Sequence, residues 1–237
     1  MVVIRRSLVV LAIVVFFTLV GVDECWSTPS GLNNIPTADV APANVLVLQQ
    51  FSTYADDKLP SHSLGAKFGL PQFELVGFTQ GVEVGVDGQF GPTSKPRAAT
   101  AGQAKYRLEL IKGTAAAIGV ANITGEKHQD LFPYAVLSHD FGPLRFHGGY
   151  KWVTDNQGGF WGIDIPLKKL LVQDITLRTD LIHIQDRQHV LGSIGFIWSL
   201  PWNFLLESWV SFPSDGDKRA VTIKFDYVVD FNKILGR

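Results

Sequence analysis

The chain reads as an antiparallel, up-and-down transmembrane β-barrel of about twelve strands, and three observations lead there. First, short runs of alternating polarity recur along most of the sequence. Second, the connections between them alternate between tight and long. Third, a secretory leader stands in front. The last run states the first point best. Val221, Ile223, Phe225, Tyr227 and Val229 alternate with Thr222, Lys224, Asp226, Val228 and Asp230. Successive side chains on a strand point to opposite faces, so this segment has one apolar and one largely charged face.

Composition fits that reading. Charged residues make up 18% of the 237 residues, aromatics 11%, and there are 23 glycines. This is lean in charge for a water-soluble domain, yet far from the long apolar runs of a helical membrane protein. The formal net charge of −1 gives no reason to expect a nucleic acid or a strongly charged partner. Outer lipid is the partner the apolar faces imply, and no protein partner is identified.

Residues 1–27 have the layout of a signal peptide: Arg5 and Arg6, an apolar run over 8–22, then a polar tail ending in Cys25, Trp26 and Ser27. Cleavage after Ser27 leaves small residues at the two positions a signal peptidase reads. The alternative is an uncleaved helical anchor, but the run is shorter than the roughly 20 residues a spanning helix needs. Cys25 is the only cysteine, and Val22, Asp23 and Glu24 before it do not form a lipoprotein box. A mature chain beginning at Thr28 therefore has no disulfide.

Residues 28–42 are rich in Pro, Asn and Ala without a period and are expected to form an extended periplasmic lead-in outside the barrel wall. The barrel proper is expected over 43–237. Its strands are expected at 43–54, 62–70, 73–87, 102–112, 114–123, 132–141, 144–153, 160–165, 174–185, 189–200, 203–212 and 219–231. Residues 71–72, 112–113, 142–143 and 201–202 read as tight turns. Residues 55–61, 88–101, 125–131, 154–159, 186–188 and 213–218 read as longer polar links. The link around 166–173 is longer than its parity predicts. An even strand count puts both chain ends on the periplasmic side.

Several strands divide cleanly into two faces. Leu64, Ala66, Phe68 and Leu70 oppose Ser63, Lys67 and Gly69. Ala104, Tyr106, Leu108 and Leu110 oppose Lys105, Arg107 and Glu109. Leu144, Phe146, Tyr150 and Trp152 oppose Arg145, His147 and Lys151. The runs 43–54, 114–123 and 132–141 are ambiguous. Alternation alone also suits a soluble sandwich or a lipocalin-like barrel with its apolar face inward. The membrane reading gains from aromatics at the ends of the apolar rows: Tyr150, Trp152, Trp198, Phe212, Tyr227 and Phe231.

On these faces the chain resembles porin-like bacterial outer-membrane β-barrel proteins over roughly residues 43–237. Residues 31–38, reading Gly-Leu-Asn-Asn-Ile-Pro-Thr-Ala, are similar to the leading segment of certain exopolysaccharide-associated outer-membrane barrels. The resemblance implies the bacterial outer membrane as location, reached after signal cleavage. It also implies a non-enzymatic channel for small polar or saccharide solutes, or an export accessory. Such barrels usually end on an aromatic residue, whereas Phe231 is followed here by residues 232–237.

The polar faces aim Lys67, Lys105, Arg107, Glu109, Arg145, Lys151, Arg178, Asp180, Glu207, Lys224, Asp226 and Asp230 at the lumen. There they must be paired or wetted. Paired, they fill the interior; wetted, they form a charged constriction with weak ion preference, since both signs are present. The row Val221, Ile223, Phe225, Tyr227 and Val229 is expected against lipid. The six histidines show no zinc spacing, so no metal and no cofactor is expected. A lipid hydrolase on this scaffold needs Ser, His and an orienting polar group on the lipid side. Ser138 and His139 are adjacent and point to opposite faces, so no local triad forms and no catalytic residue is assigned. A plugged structural barrel that docks a partner is the alternative to a channel, with a lipid-modifying enzyme behind it.

Overall fold

The computed structural model describes residues 30–75, 77–90, 100–123, 131–153, 157–167, 174–184, 189–214 and 219–236, except 56–58. The expected signal peptide and much of every long link lie outside the described residues. So do residues 168–173.

The strands are β1 (Val45–Ala55), β2 (Ser61–Gly69), β3 (Phe73–Leu75), β4 (Phe78–Phe90), β5 (Thr100–Ile111), β6 (Thr114–Ile123) and β7 (Phe132–Phe141). They continue with β8 (Leu144–Lys151), β9 (Gly158–Pro166), β10 (Ile175–Ile184), β11 (His189–Ser199), β12 (Phe204–Pro213) and β13 (Ala220–Asp230). Neighbours in sequence pair antiparallel from β4 to β13. The sheet closes through β13–β1, β1–β2 and β2–β4. The result is a closed, up-and-down barrel with a wall of twelve strands. Closure leaves no free sheet edge, which is the condition for spanning a bilayer with strands. A helical turn, α1 (Phe231–Leu235), follows β13 and is capped by Asp230, whose carboxylate accepts from the amides of Asn232 and Lys233.

β3 is not a thirteenth stave. Gly69 pairs with Glu83 and Phe73 with Gln80, so both β2 and β3 lie along β4. Between these pairs β2–β3 advances one residue more than β4, the signature of a bulge. Pro71, which has no amide to offer the ladder, sits in it. The tight turn expected at Pro71 and Gln72 is therefore a bulge. The chain reverses later, at Gly77 (φ 79°), inside what the sequence suggests is one strand over 73–87. The other short connections lie where the sequence puts them: residues 112–113, 142–143 and the 3-10 turn Pro201–Asn203. All four fall at the rim where β1 begins and β13 ends. Trp202 stands out from this rim, 84% exposed.

Apolar rows face outward. Val221, Phe225 and Tyr227 are 39%, 46% and 40% exposed, while Thr222 and Asp226 between them are buried. Ile118, Leu137, Trp161 and Ile194 are likewise exposed on their strands, and so is Trp152 just past β8. This is the reverse of a lipocalin-like barrel, whose apolar face would be inside.

Residues 30–42 depart most from expectation. Instead of lying outside the wall, they thread into the lumen. Leu32, Ile35 and Ala38 are 7%, 3% and 0% exposed. A small hairpin bridges Gly31 to Pro36, closed by the Leu32 amide donating to the Ile35 carbonyl at 3.0 Å. The segment returns to the wall at Asn44, whose amide donates to the Gly69 carbonyl at 2.8 Å. Gly69 is required there: a Cβ would stand 2.1 Å from the Pro42 carbonyl oxygen. Composition could not reveal this placement, because a Pro- and Asn-rich segment without period looks the same lying in water or filling a polar lumen.

Candidate functional site: a segment held in the lumen

Burial explains why two ambiguous strands were ambiguous. On β6 and β7 the inner face is itself apolar: Ala115, Ala117, Tyr134 and Val136 form one cluster with Phe160 of β9 and Ile182 of β10. Leu32 and Ile35 of the lumen segment complete that cluster. Gly162 of β9 leaves room for them, since a Cβ there would fall 2.3 Å from Leu32 Cδ1. Two apolar faces on one strand defeat an alternation test.

Around this patch the segment is held by polar side chains of the wall. Lys105 Nζ donates to the carbonyls of Ser30 at 2.5 Å, Thr37 at 3.2 Å and Asp39. Glu83 accepts from the Ser30 amide at 3.0 Å, the Ser30 hydroxyl at 2.5 Å and the Ala41 amide at 2.8 Å. Asp180 accepts from the Asn34 amide at 2.8 Å and from Ser193 Oγ at 2.5 Å. Asn33 Nδ2 donates to Ser193 Oγ at 2.8 Å, and Asn34 Nδ2 to Ser211 Oγ at 3.2 Å. Arg178 reaches the Gly31 carbonyl at 3.2 Å. Arg145 grips Asp39 at 2.8 Å and also pairs with Asp140. Hydrogen bonds to charged groups contribute about 1.5–3 kcal/mol each, so this set fixes one position of the segment.

The remaining charges pair within the wall. Glu207 takes Arg178 at 2.9 Å and Lys224 at 2.8 Å, and Lys224 also meets Asp226 at 3.1 Å. Arg178 further faces Asp164 at 3.2 Å. Lys67, 4% exposed, lies within electrostatic reach of Glu83, Asp87 and Asp226. Lys151 is buried with its ammonium 5.6 Å from the Phe132 ring centre. Arg107 pairs with Glu109 at 3.2 Å near the rim of short turns. An open cleft of about 300 Å³ lies there beside the segment's base, lined by Asp39, Thr79, Arg107 and Glu109. Among the described residues the basic and acidic side chains thus intermix, and no wall of one sign forms.

Sequence reading overlooked Glu83, Asp87, Asp39 and Asp164. Glu83 and Asp87 were legible, because Val82, Val84 and Val86 alternate with them. Asp39 was hidden by the placement of its segment. A Ser–His–Asp chain was hidden by its cross-strand nature. Ser138 Oγ lies 2.8 Å from His147 Nδ1, and His147 Nε2 lies 3.5 Å from Asp164. The Ala38 amide donates to the same Ser138 oxygen at 2.9 Å, so this serine is sealed under the segment and anchors it. On the outer face, Ser52 Oγ lies 2.7 Å from His62 Nδ1 and accepts from Gln50 at 2.8 Å.

A closed barrel with an apolar outside and a polar, charge-paired inside is the porin-like β-barrel of the outer-membrane type. Comparison with solved structures places the chain in the same fold. It is similar to KdgM porin at a TM-score of 0.56 and 11% identity, over 76% of this chain and 98% of that chain. The KdgM porin in complex with disordered oligogalacturonate matches at 0.53 and 11%, with the same coverage of 76% and 98%. Outer membrane phospholipase A from Escherichia coli matches at 0.54 and 11%, over 81% of this chain and 95% of that one. Identity this low speaks for the fold alone. No protein-family model matches the sequence, and no curated protein matches it.

Proposed function

We propose that this protein is a non-enzymatic barrel of the bacterial outer membrane, a narrow channel for small polar solutes, saccharides among them, closed in this state by residues 30–42. One observation carries the reading. The barrel wall is complete without the segment, since every strand of the ladder pairs with its neighbours, while the segment is fastened to the wall chiefly by side-chain contacts. A body held inside a finished wall can leave it without unfolding the wall. Transport would then be passive diffusion past a lining of hydroxyls, amides and paired charges, with weak preference for ion sign. Fold likeness to a porin solved with oligogalacturonate supports a saccharide-sized solute.

Planar-bilayer conductance tests this. The intact chain should give rare, small openings, and a variant lacking residues 30–39 should give sustained ones. Silence in both would leave the second reading, a plugged structural barrel that docks a partner, which the deep burial of Glu83 and Lys105 (1% and 2% exposed) favours. The outer-face Ser52–His62 pair, on a fold shared with a phospholipase, makes lipid hydrolysis worth measuring. Purified protein should release no fatty acid from phospholipid vesicles. Release that Ser52→Ala abolishes would replace the channel by an enzyme.

A further inference from the structure

The surface beneath the hairpin of residues 31–36 has two kinds of wall set side by side. On β10–β12, Asp180, Ser193 and Ser211 present oxygen atoms that accept from Asn33 and Asn34. On β7 and β9, Tyr134 and Phe160, both 2% exposed, belong to the same buried cluster as Leu32 and Ile35. The two are joined at Gly162, which pairs with Asp180 across β9–β10. The Tyr134 hydroxyl, which lies over Gly119 of β6, and Asn33 Oδ1 of the hairpin itself are buried with no hydrogen-bond partner among the described residues.

A carboxylate and two hydroxyls beside aromatic rings suit a ligand with hydroxyls along its edge and C–H groups on its face. That is the chemistry of a sugar ring: a few convergent polar groups orient it, and an aromatic platform takes its apolar side. Charge narrows the class. Each cation that touches the segment already meets a carboxylate of the wall: Arg178 meets Asp164 and Glu207, Arg145 meets Asp140, and Lys105 faces Glu83. Asp180 would repel an acidic sugar. We propose that the inner wall formed by Asp180, Ser193, Ser211, Tyr134 and Phe160 is a binding site for an uncharged saccharide, and that the hairpin occupies it in competition with the sugar. This deepens the channel reading and rests on it for the sugar's route, though not for its binding.

The test uses the full chain in detergent micelles with Leu32→Asp and Ile35→Asp, which drive the hairpin off the apolar patch. If that pair blocks folding, judged by heat-modifiable gel mobility, Leu32→Ala and Ile35→Ala take its place. Maltotriose, trigalacturonate and a synthetic peptide of residues 29–42 are titrated by calorimetry. Maltotriose should bind at least tenfold tighter than to the unaltered chain, and tighter than trigalacturonate. The peptide should displace it, and adding Asp180→Asn and Ser193→Ala should weaken it about tenfold. Absence of maltotriose binding, preference for trigalacturonate, no competition by the peptide, or indifference to the Asp180 and Ser193 changes would each overturn the proposal. Conductance of the same variant separates the two readings. Current without sugar binding retires the site and keeps the channel, whereas sugar binding without current does the reverse.

Discussion

Lys105 Nζ donates to the Ser30 carbonyl at 2.5 Å, across the lumen side of the wall and 75 residues away in sequence. The same ammonium also takes the carbonyls of Thr37 and Asp39. One side chain therefore ties both arms of the hairpin to β5, and Glu83 on the neighbouring strand takes the amides of Ser30 and Ala41. The segment's position depends on this pair more than on any backbone ladder.

Lys105→Met should loosen the segment while leaving the barrel closed. Losing hydrogen bonds to a charged donor costs about 1.5–3 kcal/mol apiece, so even one lost bond shifts the docked population roughly tenfold or more. A cysteine placed at Ala38, 0% exposed in the docked state, should react with a maleimide at least tenfold faster in the Met variant. Equal rates would mean that the apolar cluster alone holds the segment.

Charge pairs at two depths should behave differently. Arg107 and Glu109 have side chains 16% and 36% exposed, a wetted pair contributing about 0–1 kcal/mol. Lys224 and Glu207 are 13% and 7% exposed; breaking such a pair from one side costs roughly 3–5 kcal/mol. Urea titration of the barrel in micelles should show Arg107→Ser nearly unchanged and Lys224→Met strongly destabilised. In the opened barrel, Arg107→Ser together with Arg145→Ser should move ion preference toward cations. Equal stability losses would mean the two pairs share one environment.

The outer row is expected against lipid. Phe225, 46% exposed near the middle of β13, is the place to test it. Phe225→Arg should cost about 2–4 kcal/mol for a cation near the bilayer midplane, read as lost refolding yield into vesicles. A variant that refolds as well as the original would argue that this face meets water.

Processing is expected to leave Thr28 as the mature N-terminus, with Cys25 and Ser27 as the small residues before the cut. Intact mass of membrane-extracted protein should correspond to residues 28–237. A mass that retains residues 1–27 would favour a helical anchor and a different membrane.

The sequence by itself determined the barrel. Alternation over β2, β5, β8 and β13, short turns at one rim and longer links at the other are properties of a few adjacent residues, and a strand expresses them wherever it is placed. It also marked Lys105, Arg145, Arg178, Asp180, Glu207, Lys224 and Asp226 as a polar row. Which way the rows face, whether residues 30–42 lie outside or inside, and which charges meet were decided only when the wall closed. Ser138, His147 and Asp164 stand on three successive strands, and their meeting depends on the pairs Ser138–His147 and His147–Gly162, in which a one-residue slip would turn them to opposite faces. The lumen that receives the hairpin does not exist until β13 pairs with β1. Its occupant is chosen by a three-dimensional match, with Leu32 over Gly162, Asn34 on Asp180 and the Ser30 carbonyl on Lys105, that no local pattern in residues 30–42 encodes.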